Sequence, residues 1–165
     1  MDEEGFWQEE QGATEKIILD YFSSIFSSDH PSCFEASLEA VGERVTPEMN
    51  DVLLGNFKAD EEWHALQQMH PTKSPGPDGM SPIFYQKYWN IVGVCVSNCV
   101  LQALNTGVMP KDFNNTYICL IPKIKNPQKI TDYRPISLCN VIYKLISKVL
   151  ANRLKRILNE VITDE

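Results

Sequence analysis

Two short segments carry residues whose types and spacing could do chemistry. The first is Lys73-Ser74-Pro75-Gly76-Pro77-Asp78-Gly79. Its prolines fix φ, its glycines permit positive φ, and Asp78 can bond back to the backbone just after it. Such a loop is stiff and lets a ligand approach the main chain closely. The same composition also suits a plain connector between helices. The second segment holds Lys123, Lys125, Lys129 and Arg134. If its flanks pair, Lys123 and Arg134 come to one end of a ribbon, where a compact ammonium beside a planar guanidinium suits a polyphosphate. Lysines on a hairpin also guard its edges against other strands. The residues alone leave both readings of each segment open.

Other chemistry finds little support. The cysteines at 33, 95, 99, 119 and 139 are odd in number and scattered. They read as free thiols of a reducing compartment. Cys95 and Cys99 would share a helix face, but no second Cys or His pair stands at zinc spacing, so they are expected to be small buried apolar groups and no metal site is expected. His64 and His70 fall in no ligand or triad pattern and read as surface or structural residues.

The elements that must position the two segments follow from periodicity. Ile17, Ile18, Tyr21, Phe22, Ile25 and Phe26 predict a helix over 13–27. Thr46-Pro47-Glu48 reads as cap, first-turn proline and first-turn acid of a short helix through Leu54. A further helix is expected over 60–69, with Trp63, Leu66 and Met69 on one side. Pro71 to Gly79, with three prolines and two glycines, permits neither helix nor strand. Ser81-Pro82 restarts a helix that runs to Asn105, bends near Gly93 and stops at Gly107. Thr116–Ile121 and Tyr133–Leu138 read as strands, with Pro135 marking a free edge. Aliphatic residues from Val141 to Val161 mark one face of a single long helix over 140–161, with Lys144, Lys148, Lys155 and Asn159 opposite. The expected class is α+β, mostly helical, with one two-stranded antiparallel hairpin.

At 165 residues and 43% hydrophobic content the chain has the composition of a folded domain. Its net charge is −7, yet the sign changes along it: residues 1–70 carry sixteen acids against three bases, and residues 71–165 six against twelve. The basic second half hints at a polyanion. Met1–Glu10 carries four glutamates and an aspartate, so neither a secretory leader nor a transit peptide is expected. No apolar run has the length of a membrane span, and an intracellular location is expected.

Several segments in order resemble the reverse transcriptases of non-LTR (LINE-type) retrotransposons. Lys73-Ser-Pro-Gly-Pro-Asp-Gly-Met-Ser-Pro-Ile-Phe-Tyr-Gln-Lys-Tyr-Trp89 is similar to the segment before the fingers strands of that family. Leu120-Ile-Pro-Lys123 and Asp132-Tyr-Arg-Pro-Ile-Ser-Leu138 resemble its next two motifs, and Asn140–Leu154 the helix after them. Tyr21-Phe22-Ser-Ser-Ile-Phe26 resembles the linker upstream. The resemblance implies an acidic helical linker region over 1–58 and, over 59–165, part of the fingers subdomain of a right-hand polymerase, truncated before the palm. It implies RNA template and dNTP as partners of the parent family, with Lys123 and Arg134 on the triphosphate and Lys73, Gly76, Pro77, Asp78 and Gly79 near the template.

Polymerase chemistry also needs carboxylates that hold two Mg²⁺ ions. In the intact family these come from palm motifs, and this sequence has no Asp-Asp pair. The chain is therefore expected to lack polymerase activity, to hold no cofactor and to bind nucleic acid or nucleotide weakly or not at all. The alternative is a domesticated, non-catalytic RNA-binding or interaction module. The resemblance also implies that the last helix packs partly toward absent palm structure, so part of its Leu150–Val161 face is expected to be exposed.

Overall fold

A computed structural model of the chain describes residues 7–28, 34, 35, 39, 42 and 44–162. Cys33 lies outside the described residues. The chain is mostly helical with one two-stranded sheet. In order come α1 (Gln11–Phe26), α2 (Pro47–Leu54), α3 (Ala59–Gln67), α4 (Pro82–Lys87), α5 (Trp89–Thr106), β1 (Thr116–Pro122), a 3₁₀ turn (Ile130–Asp132), β2 (Tyr133–Cys139), α6 (Val141–Leu154) and α7 (Leu158–Val161). Contacts group these into two units. One comprises Met1–Gly42 with Ile118–Ile136, the other Glu43–Tyr117 with Ser137–Glu165.

The first unit contains α1 and the outer part of the β1–β2 ribbon. Phe22 is buried; Tyr21 meets it edge-on and Phe26 stacks on it. Ile17 and Ile18 of α1 share a cleft of about 270 Å³ with Leu120, Ile130 and Tyr133 of the ribbon and its turn.

The second unit is a helical cluster. Its core joins Ala65, Leu66 and Met69 of α3 and its end, Tyr85 of α4, Val96, Val100 and Ala103 of α5, and Val141, Leu145, Ile146 and Val149 of α6. Thr46 caps α2 as its sequence predicts: the hydroxyl accepts the Met49 N–H and Pro47 fills the first turn. Gly107 ends α5 with φ of 73°, a left-handed stop that glycine adopts freely.

Three local expectations need correction. The helix predicted from Ser81 onward breaks at Tyr88 (φ −108°, ψ 21°), not at Gly93. Gly93 sits inside α5, where an added Cβ would come within 2.8 Å of the Trp89 indole. The glycine thus serves a close approach, and Trp89 goes on to meet Trp63 with ring centroids 5.3 Å apart. Ser81 precedes α4 but makes no side-chain cap bond. The long final helix is two. After Leu154, Arg156 and Ile157 donate to Arg153 and Leu154, a tightened turn that separates α6 from α7. Ile157 is buried there, while Leu150 and Leu154 stay about half exposed, so the exposure expected on this face is present in part.

One side chain ties this unit together. Arg153 of α6 is 5% exposed and uses all five N–H donors. Nε and Nη2 donate to the two carboxylate oxygens of Glu61, each at 2.8 Å. Nη1 donates to the carbonyls of Leu53 and Gly55 at the end of α2, and Nη2 to that of Asn56. The guanidinium also lies 3.5 Å from the centre of the Phe57 ring. Glu61 in turn accepts the Lys58 N–H at the start of α3.

The neighbouring Glu62 is the opposite case. It has no exposed surface, and neither carboxylate oxygen has a hydrogen-bond partner of good geometry. Burial pushes its carboxyl above the usual range, offset in part by the Ser97 hydroxyl. The Arg153 guanidinium holds Glu61 below that range. A raised carboxyl keeps its proton in the folded state after the unfolded chain has lost it, so Glu62 weakens the fold as pH climbs above the unfolded value. We therefore expect Glu62→Met to stabilise the protein at pH 8 by about 1–3 kcal/mol, the cost of an unpartnered buried polar group. The gain should shrink toward pH 4, as urea titrations at the two pH values will show; an equal gain at both would refute the assignment.

Candidate nucleic-acid interface

The two segments singled out by their chemistry belong to different units. In the ribbon, the Lys123 N–H donates to the Asp132 carbonyl at 2.7 Å, and the Thr116 hydroxyl meets the Cys139 sulfur at 3.5 Å. Both contacts fit one antiparallel register in which Ile121 opposes Arg134 and Leu120 opposes Pro135. Directly opposed residues share a face, so Lys123, Ile121, Arg134 and Ile136 lie on one face and Leu120 and Tyr133 on the other. The second face is the one that lines the cleft with α1. The first is exposed at Lys123, Ile121, Arg134 and Ile136. Pro135 falls at a position whose N–H would point to the open edge, so the ladder loses no bond by having proline there.

Lys123 and Arg134 are thus diagonal neighbours on one exposed face, next to the turn. The Lys123 ammonium donates to the Thr131 carbonyl at 2.7 Å, leaving two of its three donors. The Arg134 guanidinium has no hydrogen-bond or ion-pair partner among the described residues. Asp132 braces the turn, its carboxylate accepting the Gln128 and Lys129 N–H groups at 2.9 and 3.0 Å. Those two bonds hold it below the usual carboxylate range.

The loop Lys73–Gly79 lies in the helical unit and is pinned to the start of α6. The Asn140 side chain accepts the Asp78 N–H, and the Lys144 ammonium donates to the Ser74 carbonyl at 2.8 Å. Asp78 bonds back to the Met80 N–H at 3.0 Å, as its type predicts. Gly79 has φ of 70°. Lys73, Asp78 and Gly79 are exposed; Gly76 and Pro77 are half-buried. At Gly76 an added Cβ would overlap the backbone nitrogen and side-chain oxygen of Asn140. Beneath the loop, burial and the Asp78 charge push the Tyr85 hydroxyl up to about 12. We expect Gly76→Ala to cost about 1–3 kcal/mol, an overpacking penalty, and to speed amide hydrogen exchange around Asn140. Wild-type stability in that variant would refute the close approach.

Cys95 is exposed and Cys99 half-buried, which corrects the expectation that both are buried; on the outer side of α5 there is less to cover them than an apolar helix suggests. Burial, with the Glu62 charge, raises the Cys99 thiol. His64 and His70 are exposed. The sequence reading missed a basic cleft between α3 and α6, lined by His64, Gln68, Lys148, Asn152, Lys155 and Arg156. Its signal was present: no acid occurs between Asp132 and Glu160.

No protein-family profile matches the chain. Two curated proteins are similar to it. The Transposon TX1 uncharacterized 149 kDa protein of Xenopus laevis is 31% identical over 165 residues, covering 97% of this chain and 12% of that protein. The Retrovirus-related Pol polyprotein from type-2 retrotransposable element R2DM of Drosophila melanogaster is 23% identical over 153 residues, covering 88% of this chain and 13% of that protein. The chain thus spans about an eighth of the length of these relatives. The similarity runs through the ribbon, the loop and the helices that carry them, and it makes the chain a distant homologue, over most of its length, of non-LTR retrotransposon proteins.

Proposed function

We propose that the chain is the fingers portion of an RNA-directed DNA polymerase, supplying phosphate and template contacts but not the catalytic centre. Lys123 and Arg134 take phosphates of the incoming nucleotide, Lys as a point charge and Arg as a fork. The Lys73–Gly79 loop lies along the template. The observation that carries this reading is the ribbon register, with both cations on one exposed face beside the turn. The similarity to the R2DM Pol polyprotein supports it.

Among the described residues, those present do not suit the two Mg²⁺ ions of phosphoryl transfer. Those ions need convergent carboxylates, and no group of three or more Asp, Glu, His or Cys comes together there. Asp78, Asp132 and Asp112 each brace a separate turn. No metal-dependent step is assigned to this chain, and the metal ligands would come from elsewhere in a complete enzyme.

A second reading, a non-catalytic RNA-binding module, is favoured by the acid-free run from Tyr133 to Asn159.

Calorimetric titration with a dNTP tests the main reading. Weak binding is expected, with a dissociation constant on the order of 1 mM and weakened about threefold by Arg134→Ala, since solvent screening in an open site reduces a charge-assisted contact to about 0.7 kcal/mol. Binding unchanged in Lys123→Ala and Arg134→Ala would contradict it. So would template-dependent primer extension by the purified chain.

A further inference from the structure

We propose that the outer face of α5 is a two-fold contact surface on which a second copy of this chain pairs. Helix α5 runs 18 residues, Trp89–Thr106, without one charged side chain, in a protein that is 22% charged. Its inward positions are Gly93, Val96, Val100 and Ala103, all buried. The other side carries Ile91 and Val94, 70% and 75% exposed, with exposed Cys95 and Asn98 and half-buried Leu101. At 3.6 residues per turn, the row of Ile91, Val94, Asn98 and Leu101 lies roughly 160° around the helix from the buried row. A solvated helix face ordinarily carries charged residues. This one carries none.

The spacing of the exposed row says what covers it. Ile91, Val94, Asn98 and Leu101 follow the alternating three- and four-residue steps of a coiled-coil seam, with Ile91 and Asn98 in a positions and Val94 and Leu101 in d positions. A branched residue and a lone Asn at a, with Leu at d, are choices that favour two strands. The Asn98 amide has no hydrogen-bond partner among the described residues. It holds both a donor and an acceptor, so a second Asn98 across a two-fold axis satisfies it. A second copy also sets no like charges against each other on this face, although each copy brings a net charge of −7. The exposed Leu150 and Leu154 of α6 lack that property, because Lys148 and Lys155 flank them.

Parallel pairing in register puts each residue of the row opposite its own copy, with the two-fold axis running between the helices. The buried side of each α5 then points away from the axis, so the core that it shares with α3 and α6 lies outside the contact. From Ile91 to Leu101 the row is roughly 15 Å long, and a helix is roughly 10–12 Å wide. A contact of that size buries on the order of 700 Å² in all, below the roughly 1,200 Å² of stable complexes, so pairing is weak and concentration-dependent. The surface uses none of the residues assigned to phosphate or template, and it does not depend on the polymerase reading.

Sedimentation velocity of the full chain under reducing conditions, from about 10 μM to about 1 mM, tests the proposal. Wild type should shift from monomer to dimer with a dissociation constant on the order of 0.1 mM. The shift should persist or grow between about 0.05 and 0.5 M salt, because screening relieves repulsion between two acidic chains. Val94→Glu should weaken pairing at least tenfold by setting two carboxylates across the axis. Leu19→Glu, at a similarly exposed position of α1, should leave it within about twofold. Asn98→Ile should tighten it severalfold. If Val94→Glu lowers the urea midpoint, Ile91→Lys replaces it. Register is read separately: with Cys95→Ser, Asn98→Cys should give an oxidised dimer joined at position 98, which peptide mass spectrometry identifies. A monomer across the whole range, assembly beyond a dimer, pairing unchanged in the α5 variants, equal loss in Leu19→Glu, pairing that weakens with salt, or a link through another cysteine in place of position 98 would each overturn the assignment.

Discussion

A single buried guanidinium organises the helical unit. Arg153 closes the open carbonyls at the end of α2, crosses the link to α3, holds the Glu61 carboxylate that also caps α3, and rests on Phe57, all from α6. A charge this buried is tolerable only when every donor is used and a counter-charge is at hand. Both conditions hold, and they impose a geometry. The ends of α2 and α3 must stay where the planar fork can reach them. An ammonium has three donors and no planar fork, so it could not meet all five acceptors at once, and lysine is no substitute. The groove between α3 and α6 inherits its width from this clamp, because Asn152, Lys155 and Arg156 flank Arg153 on one wall and His64 follows Glu61 on the other.

Adjacent carboxylates show how context sets the sign of a charge's effect. Glu61 contributes stability that is present above the ordinary carboxylate range and is lost as pH falls through its depressed value. Glu62, a step of one residue around α3, faces the core with only the Ser97 hydroxyl to offset its burial and acts in the reverse sense. The same logic separates the lysines of the two basic regions. Lys123 is partly satisfied by its own turn, whereas among the described residues no acid lines the cleft that holds Lys148 and Lys155.

Much of this was legible in the sequence, where local rules act alone. The Thr46-Pro47 start, the Asp78 turn, the Gly107 stop and the alternation of the two strands are governed by residues within a few positions of one another. The placement of Pro135 on the open edge follows from the same alternation. What was not legible depends on partners far away in the chain. Gly93 reads as a hinge until Trp89 is seen to lie over it. A continuous helix to Val161 satisfies periodicity, and only the turn after Leu154, with Ile157 buried beyond it, shows the break. Arg153 looks like one more surface cation. Its spacing from Val149 and Ile157, both buried, was the available hint that it sits on the core face. The groove required knowing that α3 lies beside α6.

The Arg153–Glu61 pair fixes α3 against α6. A double-mutant cycle with Arg153→Lys and Glu61→Gln, read by urea unfolding, measures that coupling. Each single change should lower stability, and the double variant should be more stable than the sum of the singles implies by about 1–3 kcal/mol. Additive effects on stability would show that the pair does not hold the two helices together.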